Sequence, residues 1–142
     1  MVGIVITGHG QFATGLLSSL QLIAGDFVNV AAVDFALNNS TEDLSKKLTQ
    51  AVQDFVNCEK VMFFTDLVGG SPFRCCVLIG QEGIESKIIA GANLPMLLEI
   101  VFARDSGDLE VLKNIALEVG KSAIKCFGDE PKVKKNMATM GI

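Results

Sequence analysis

An open, mostly parallel α/β sheet of four strands covered by helices on both faces is the fold this sequence predicts. Three observations carry it. Short β-branched apolar runs of strand length alternate along the chain with longer stretches whose apolar residues fall at helical spacing. The strand runs show no polar alternation, the pattern of strands covered on both faces. The 142 residues contain no internal repeat, no low-complexity tract and no Pro/Ser-rich linker, so residues 1–142 read as a single domain.

The elements follow in order. Val2 to Ile6 is a first strand that stops in Thr7-Gly8-His9-Gly10, where the two glycines are expected to give the backbone freedom to turn. Phe12, Leu16, Leu17, Leu20 and Ile23 recur on one face of a first helix that Gly25 ends. Val28 to Val33 is a second buried strand closing in Asp34 and Phe35. Ser40 with Asp43 resembles a capping box, opening a helix on Leu44, Leu48, Ala51, Val52 and Phe55. Val61 to Phe64 is the third strand and runs directly into Thr65-Asp66-Leu67-Val68-Gly69-Gly70-Ser71-Pro72-Phe73. There Ser71 is the expected N-cap and Pro72 the first helical residue. Lys87 to Ala90 is a fourth strand, Asn93 caps a helix through Leu97, Leu98, Val101 and Phe102, and a fifth helix runs from about Asp108 toward Ile124. Phe12, Phe63, Phe64 and Phe102 are expected in the core. Beyond Gly128 the tail is polar and weakly patterned.

Composition removes several function classes. A net charge of -4 and the absence of a basic run argue against a nucleic-acid or anionic-membrane partner. Cys58, Cys75, Cys76 and Cys126 have no C-x-x-C spacing, which suits neither a disulfide framework nor a zinc site. They read as reduced core residues, and the expected compartment is cytoplasmic. The first 25 residues lack Asp, Glu, Lys and Arg, but they also lack a basic n-region and are interrupted by polar residues, so neither a signal peptide nor a membrane span is expected.

Open parallel sheets bind ligands at the carboxyl ends of strands flanking the topological switch point. If the first and third strands flank it, the single histidine, His9, and Asp66 are neighbours, beside a glycine-rich helix start suited to anions. That combination points to phosphoryl transfer through histidine. A neutral imidazole offers a nucleophilic ring nitrogen. Asp66 would accept a hydrogen bond from the other ring N–H, while Gly10, Gly69, Gly70 and Ser71 would cradle the phosphoryl oxygens. The chemistry requires no metal or cofactor.

Thr7-Gly8-His9-Gly10, Asp34-Phe35, Thr65-Asp66, Gly69-Gly70-Ser71-Pro72-Phe73 and Gly91-Ala92-Asn93-Leu94-Pro95-Met96 occur in order and at family-like spacing. Together they resemble the enzyme IIA component of the mannose family of bacterial sugar phosphotransferase systems, from Val2 to about Phe127. The resemblance implies that His9 takes a phosphoryl group from the phosphocarrier HPr at Nε2 and passes it to a cognate enzyme IIB, serving a membrane IIC/IID sugar permease. It implies that Asp66 orients His9 and that Ser71 lies in the phosphate loop. It also implies a homodimer whose sheet gains a fifth, antiparallel edge strand exchanged from the C-terminal tail. Many relatives continue through an Ala/Pro-rich linker into a IIB domain, whereas this chain stops at Ile142, which reads as a stand-alone subunit. Arg74-Cys75-Cys76 stands where small or amide residues are often found. The component does not choose the sugar, leaving mannose, sorbose, fructose and N-acetylgalactosamine systems open.

Rival readings come from other classes. Gly8-His9-Gly10-Gln11-Phe12-Ala13 fits a dinucleotide fingerprint after a strand, with Asp34 placed for a ribose, although that reading leaves the Gly69-Gly70-Ser71-Pro72 loop idle. A receiver-type domain phosphorylated on Asp66 would want acidic metal ligands after the first strand. A Ser71/His9/Asp66 hydrolase lacks a G-x-S-x-G elbow. A phosphotransfer subunit of dihydroxyacetone kinase is the alternative within the resembling family, disfavoured by the Gly-Gly-Ser-Pro-Phe loop.

Overall fold

The computed structural model describes residues 1–129. Its strands are β1 (Val2–His9), β2 (Val30–Phe35), β3 (Lys60–Thr65) and β4 (Glu85–Ala90). Its helices are α1 (Phe12–Ala24), α2 (Thr41–Gln53), α3 (Ser71–Gln81), α4 (Leu94–Ala103) and α5 (Leu109–Ser122), with a 3-10 turn over Arg104–Ser106. All pairings are parallel and the strands lie in the order β2-β1-β3-β4. The chain steps outward from β1 to β2, then crosses back to place β3 and β4 on the other side. The switch point therefore falls between β1 and β3, as expected from an open doubly wound sheet.

Side-chain parity distributes the two cores. Val2, Ile4, Ile6, Met62 and Phe64 point to one face, where they pack against α1, α4 and α5 through Leu20, Leu97, Ile100 and Leu112. Val5, Val33, Val61 and Phe63 point to the other, against Leu44 and Leu48 of α2 and Cys75, Cys76 and Ile79 of α3. The central strands β1 and β3 are buried on both faces, which explains their unbroken apolar runs. None of the described helices is long and apolar enough to cross a membrane.

Four expectations need correction. The second strand starts at Val30 rather than Val28, and Val33 alone in it is buried, because β2 forms a sheet edge. β4 is the other edge and likewise is mostly half-buried. Phe102 is not core: its side chain is 69% exposed and stacks edge-on against Phe27 at 5.5 Å. Cys126 is exposed and Cys58 only half-buried, so the core role of the cysteines holds for Cys75 and Cys76, where burial pushes the Cys76 thiol up. The expected fifth strand and its exchange in a dimer fall on residues 130–142, outside the described residues.

Candidate active site

β1 and β3 end side by side, with Thr7 paired to Thr65 in register, and the next residues form the site. His9 closes β1 and Asp66 follows β3 immediately. One oxygen of Asp66, Oδ2, accepts from the His9 backbone N–H at 2.8 Å and lies 2.8 Å from His9 Nδ1. The other, Oδ1, accepts from the Leu67 N–H at 2.8 Å. Burial pushes the Asp66 carboxyl up, but the hydrogen bonds from His9 and Leu67 outweigh it and hold the group below its ordinary value. Asp66 is thus ionised and accepts, so in the neutral form of the ring the proton sits on Nδ1 and the lone pair on Nε2. His9 remains 47% exposed at the rim, while Asp66 beneath it is 14% exposed. Phe35, the register partner of His9 on β2, meets the imidazole edge-on at 5.8 Å.

The second half of the site is the start of α3. Gly69 occupies the left-handed region at φ 79°, and Gly70, not Ser71, is the N-cap. Ser71 and Pro72 are the first helical residues, and no side chain of the N-cap bonds the first turn. The reassignment has a physical reason. Glycine is itself an accepted N-cap, and here it leaves the imidazole undisturbed: a Cβ on Gly70 would stand 2.9 Å from His9 Cε1 and 3.7 Å from Nε2, so a side chain would have to displace the ring. The start of α3 therefore lies close against the Cε1–Nε2 edge of the imidazole. First-turn N–H groups have no intrahelical acceptor and carry the positive end of the helix dipole.

The other helix starts are closed by side chains. Asp34 Oδ1 accepts from the Thr14 N–H of α1 at 3.0 Å, and its Oδ2 accepts from the Thr14 hydroxyl at 2.6 Å. Ser40 and Asp43 form the expected capping box on α2, Asn93 accepts from the Met96 N–H on α4, and Asp108 accepts from the Glu110 and Val111 N–H groups on α5. Among the described helices, α3 is the one whose N-terminus is left open, and it faces His9.

Gly10 and Gly8 play different parts from those the sequence suggests. Gly10 does turn the chain, at φ 59°, but its N–H is donated to the Phe35 carbonyl at 2.9 Å. Gly8 lies within β1, and its lack of a side chain serves close packing: a Cβ there would meet Phe12 Cδ1 at 2.5 Å and Asp66 Cγ at 3.0 Å. Asp34, already bonded to Thr14, fills the N-terminus of α1 where a dinucleotide's pyrophosphate would sit, so the ribose role assigned to it does not hold. Sequence reasoning named Phe35 only within the Asp34-Phe35 motif and missed Thr14; the contacts of both depend on the β1–β2 register. A cavity of about 510 Å³ opens at the opposite end of the sheet, lined by Met1, Phe55, Cys58 and Lys60 among others, remote from His9. Among the described residues no group of His, Cys, Asp and Glu is arranged to hold a metal ion.

Comparison with known proteins bears on the family and the fold. The family model described as "PTS system fructose IIA component" matches residues 3–117. The fructose-specific EIIA component of Bacillus subtilis is 32% identical over 135 residues, covering 94% of this chain and 92% of that protein. The mannose-specific EIIAB component of Escherichia coli is also 32% identical, over 134 residues; the match takes in 94% of this chain and 42% of that longer protein. A crystal structure of the phosphotransferase system component EIIA from Streptococcus agalactiae superposes with a TM-score of 0.83 at 33% identity, covering 89% of this chain and 98% of that one. The chain belongs to the EIIA family of the sugar phosphotransferase system, a family of phosphotransferases.

Proposed function

We propose that the chain carries a phosphoryl group on His9 Nε2, accepting it from the phosphohistidine of HPr and delivering it to a cognate enzyme IIB. The observation that carries this reading is the split environment of one ring: Nδ1 is tied to Asp66 at 2.8 Å while the Nε2 edge faces Gly70 at the open start of α3. In the forward step the Nε2 lone pair attacks phosphorus as the donor's P–N bond breaks and its electron pair returns to the donor imidazole. The Nδ1 proton stays on His9, where ionised Asp66 stabilises the positive charge the ring acquires. Donors at Gly69, Gly70 and Ser71, with the Ser71 hydroxyl, take the phosphoryl oxygens, and Gly10 shapes the turn beside them. The reverse step onto enzyme IIB uses the same groups in the opposite order. Protein partners suit the half-exposed rim position of His9. A cytoplasmic homodimer serving a IIC/IID permease completes the proposal.

The test is incubation with phosphoenolpyruvate, enzyme I and HPr, followed by intact mass and acid treatment. The expected product carries one acid-labile, alkali-stable phosphoryl group that is absent in His9→Ala, whose melting temperature stays close to wild type because the side chain is half in solvent. In Asp66→Ala the same product should form more slowly. A wild-type protein that gains no mass, or a His9→Ala protein that still gains it, overturns the reading.

A further inference from the structure

The segments that follow the carboxyl ends of the four strands are poor in cations. Across residues 8–14, 34–43, 65–74 and 90–96, the ionisable groups besides His9 are Asp34, Glu42, Asp43, Asp66 and Arg74. Four are acids. Asp34 is bonded to Thr14, Asp43 to Ser40, Asp66 to His9, and Glu42 lies 3.6 Å from Lys46 of its own helix. A phosphoryl dianion arriving at His9 therefore enters a rim whose own segments carry one cation, Arg74; Lys46 and Lys47 reach the rim from further along α2, where they are held by Glu42 and Asn39.

Arg74 is placed to answer that charge. Its backbone N–H donates to the Gly70 carbonyl at 3.0 Å, so it stands one helical turn, ~5.4 Å, after the residue whose missing Cβ leaves room for the imidazole. It lies on the solvent side of α3, away from the buried Pro72, Cys75, Cys76 and Ile79. Its side chain is exposed, and among the described residues it forms no ion pair with a carboxylate. Helical Cα–Cβ bonds tilt toward the N-terminus, so a long side chain covers the turn preceding its own. For Arg74 that turn is the open start of α3, and the guanidinium can span the distance back to Gly70.

We infer that Arg74 folds back over the first turn of α3 and binds the phosphoryl group on His9, its planar N–H donors engaging the non-bridging oxygens beside the Gly70 and Ser71 amides. The inference rests on the phosphohistidine reading and adds to it a cation that stabilises the phosphorylated state. Arg74 thus bears on how the phosphoryl group partitions between donor and chain, a quantity unaffected by how well the two proteins dock.

The experiment compares wild type, Arg74→Gln and Arg74→Lys, each phosphorylated on His9 both by phospho-HPr and by phosphoramidate, a small donor with no docking surface. In Arg74→Gln the transfer equilibrium with phospho-HPr should move roughly three- to tenfold toward the donor, the range for a partly exposed charge-assisted contact. The 31P titration of the phosphohistidine should shift upward by about 0.3–1 pH unit, because the dianion loses its cation. Arg74→Lys should recover part of both effects. An unchanged equilibrium and titration in Arg74→Gln overturn the inference while leaving phosphohistidine intact. Slower transfer from phospho-HPr alone, with those two readouts unmoved, also overturns it and makes Arg74 a docking residue. If neither donor phosphorylates wild type on His9, the underlying reading fails and the role of Arg74 falls with it.

Discussion

Gly70 is where a single methyl group would displace the imidazole of His9. Its φ of -73° and ψ of 168° are open to any residue, so the backbone alone does not demand glycine there. The demand comes from His9 Cε1, 2.9 Å from where a Cβ would lie. Gly70→Ala should therefore fold with a melting temperature within a few degrees of wild type, while the imidazole is pushed from its place between Asp66 and α3. A misplacement approaching 1 Å costs on the order of 10²-fold in rate, so phosphorylation of His9 should slow by at least tenfold. Rapid-quench kinetics of phosphoryl uptake check this, and wild-type rates would show that the ring finds another path. The His9–Asp66 pairing was legible beforehand because two strand ends and one switch point confine both residues to one crevice. The finer assignments were not. Ser71 outranks glycine as an N-cap by propensity, and Gly8 looks like a hinge until Phe12 and Asp66 are seen against it.

At the scale of elements, start signals are short-range chemistry and were readable, whereas edge strands and helix-to-helix bonds depend on neighbours distant in sequence. Val28 reads as strand and Phe102 as core by apolarity alone; the sheet edge and the outer surface of α4 leave both exposed. Asn93 shows both sides. Its Oδ1 accepts from the Met96 N–H at 3.1 Å, the expected cap of α4, while its Nδ2 donates to the Gly120 carbonyl of α5 at 3.0 Å. The second bond was invisible, since it needs α5 packed so tightly that a Cβ on Gly120 would lie 2.5 Å from Met96 Cε. Asn93→Ala removes a cap worth about 1 kcal/mol and leaves a half-buried carbonyl without its donor, for a total near 2 kcal/mol. Asn93→Ser keeps a capping oxygen and should recover about half. Urea denaturation separates the two: equal losses in both variants would mean that the cap contributes nothing and that the bridge to α5 carries the whole effect.

For the molecule as a whole, the four parallel strands and their helical layers followed from apolar periodicity, but no local pattern reports what fastens the amino ends of the strands together. That fastening is Arg104, a charged residue in the 3-10 turn after α4 that is only 3% exposed. Its guanidinium donates to the carbonyl of Val2 at 3.4 Å, of Asn29 at 3.3 Å and of Val28 at 2.7 Å, joining the start of β1 to the loop that leads into β2. Burial draws the guanidinium below its ordinary value, with Asp105 and Cys58 pulling the other way, yet an arginine so placed stays charged. Desolvating that charge is costly, and the carbonyls are what offset it. Arg104→Ala removes the cation and its cost together, but it leaves a void and strips three main-chain acceptors of a donor. Buried acceptors left unpaired cost about 1–3 kcal/mol each where water cannot reach them. Some relief comes from the Ile4 N–H, which also bonds the Asn29 carbonyl at 2.9 Å. The net expectation is a loss of about 2–4 kcal/mol, measured as a lower urea midpoint at unchanged slope. Arg104→Lys should recover little, because an ammonium on a flexible stem cannot reach three carbonyls at once. His9 lies at the far end of β1, roughly 25 Å away at strand rise, so phosphorylation by the folded fraction should proceed at the wild-type rate in both variants. A stability change under about 0.5 kcal/mol would mean that water replaces the guanidinium at those carbonyls, and that the two outer layers, not this clip, hold β1 to its neighbour.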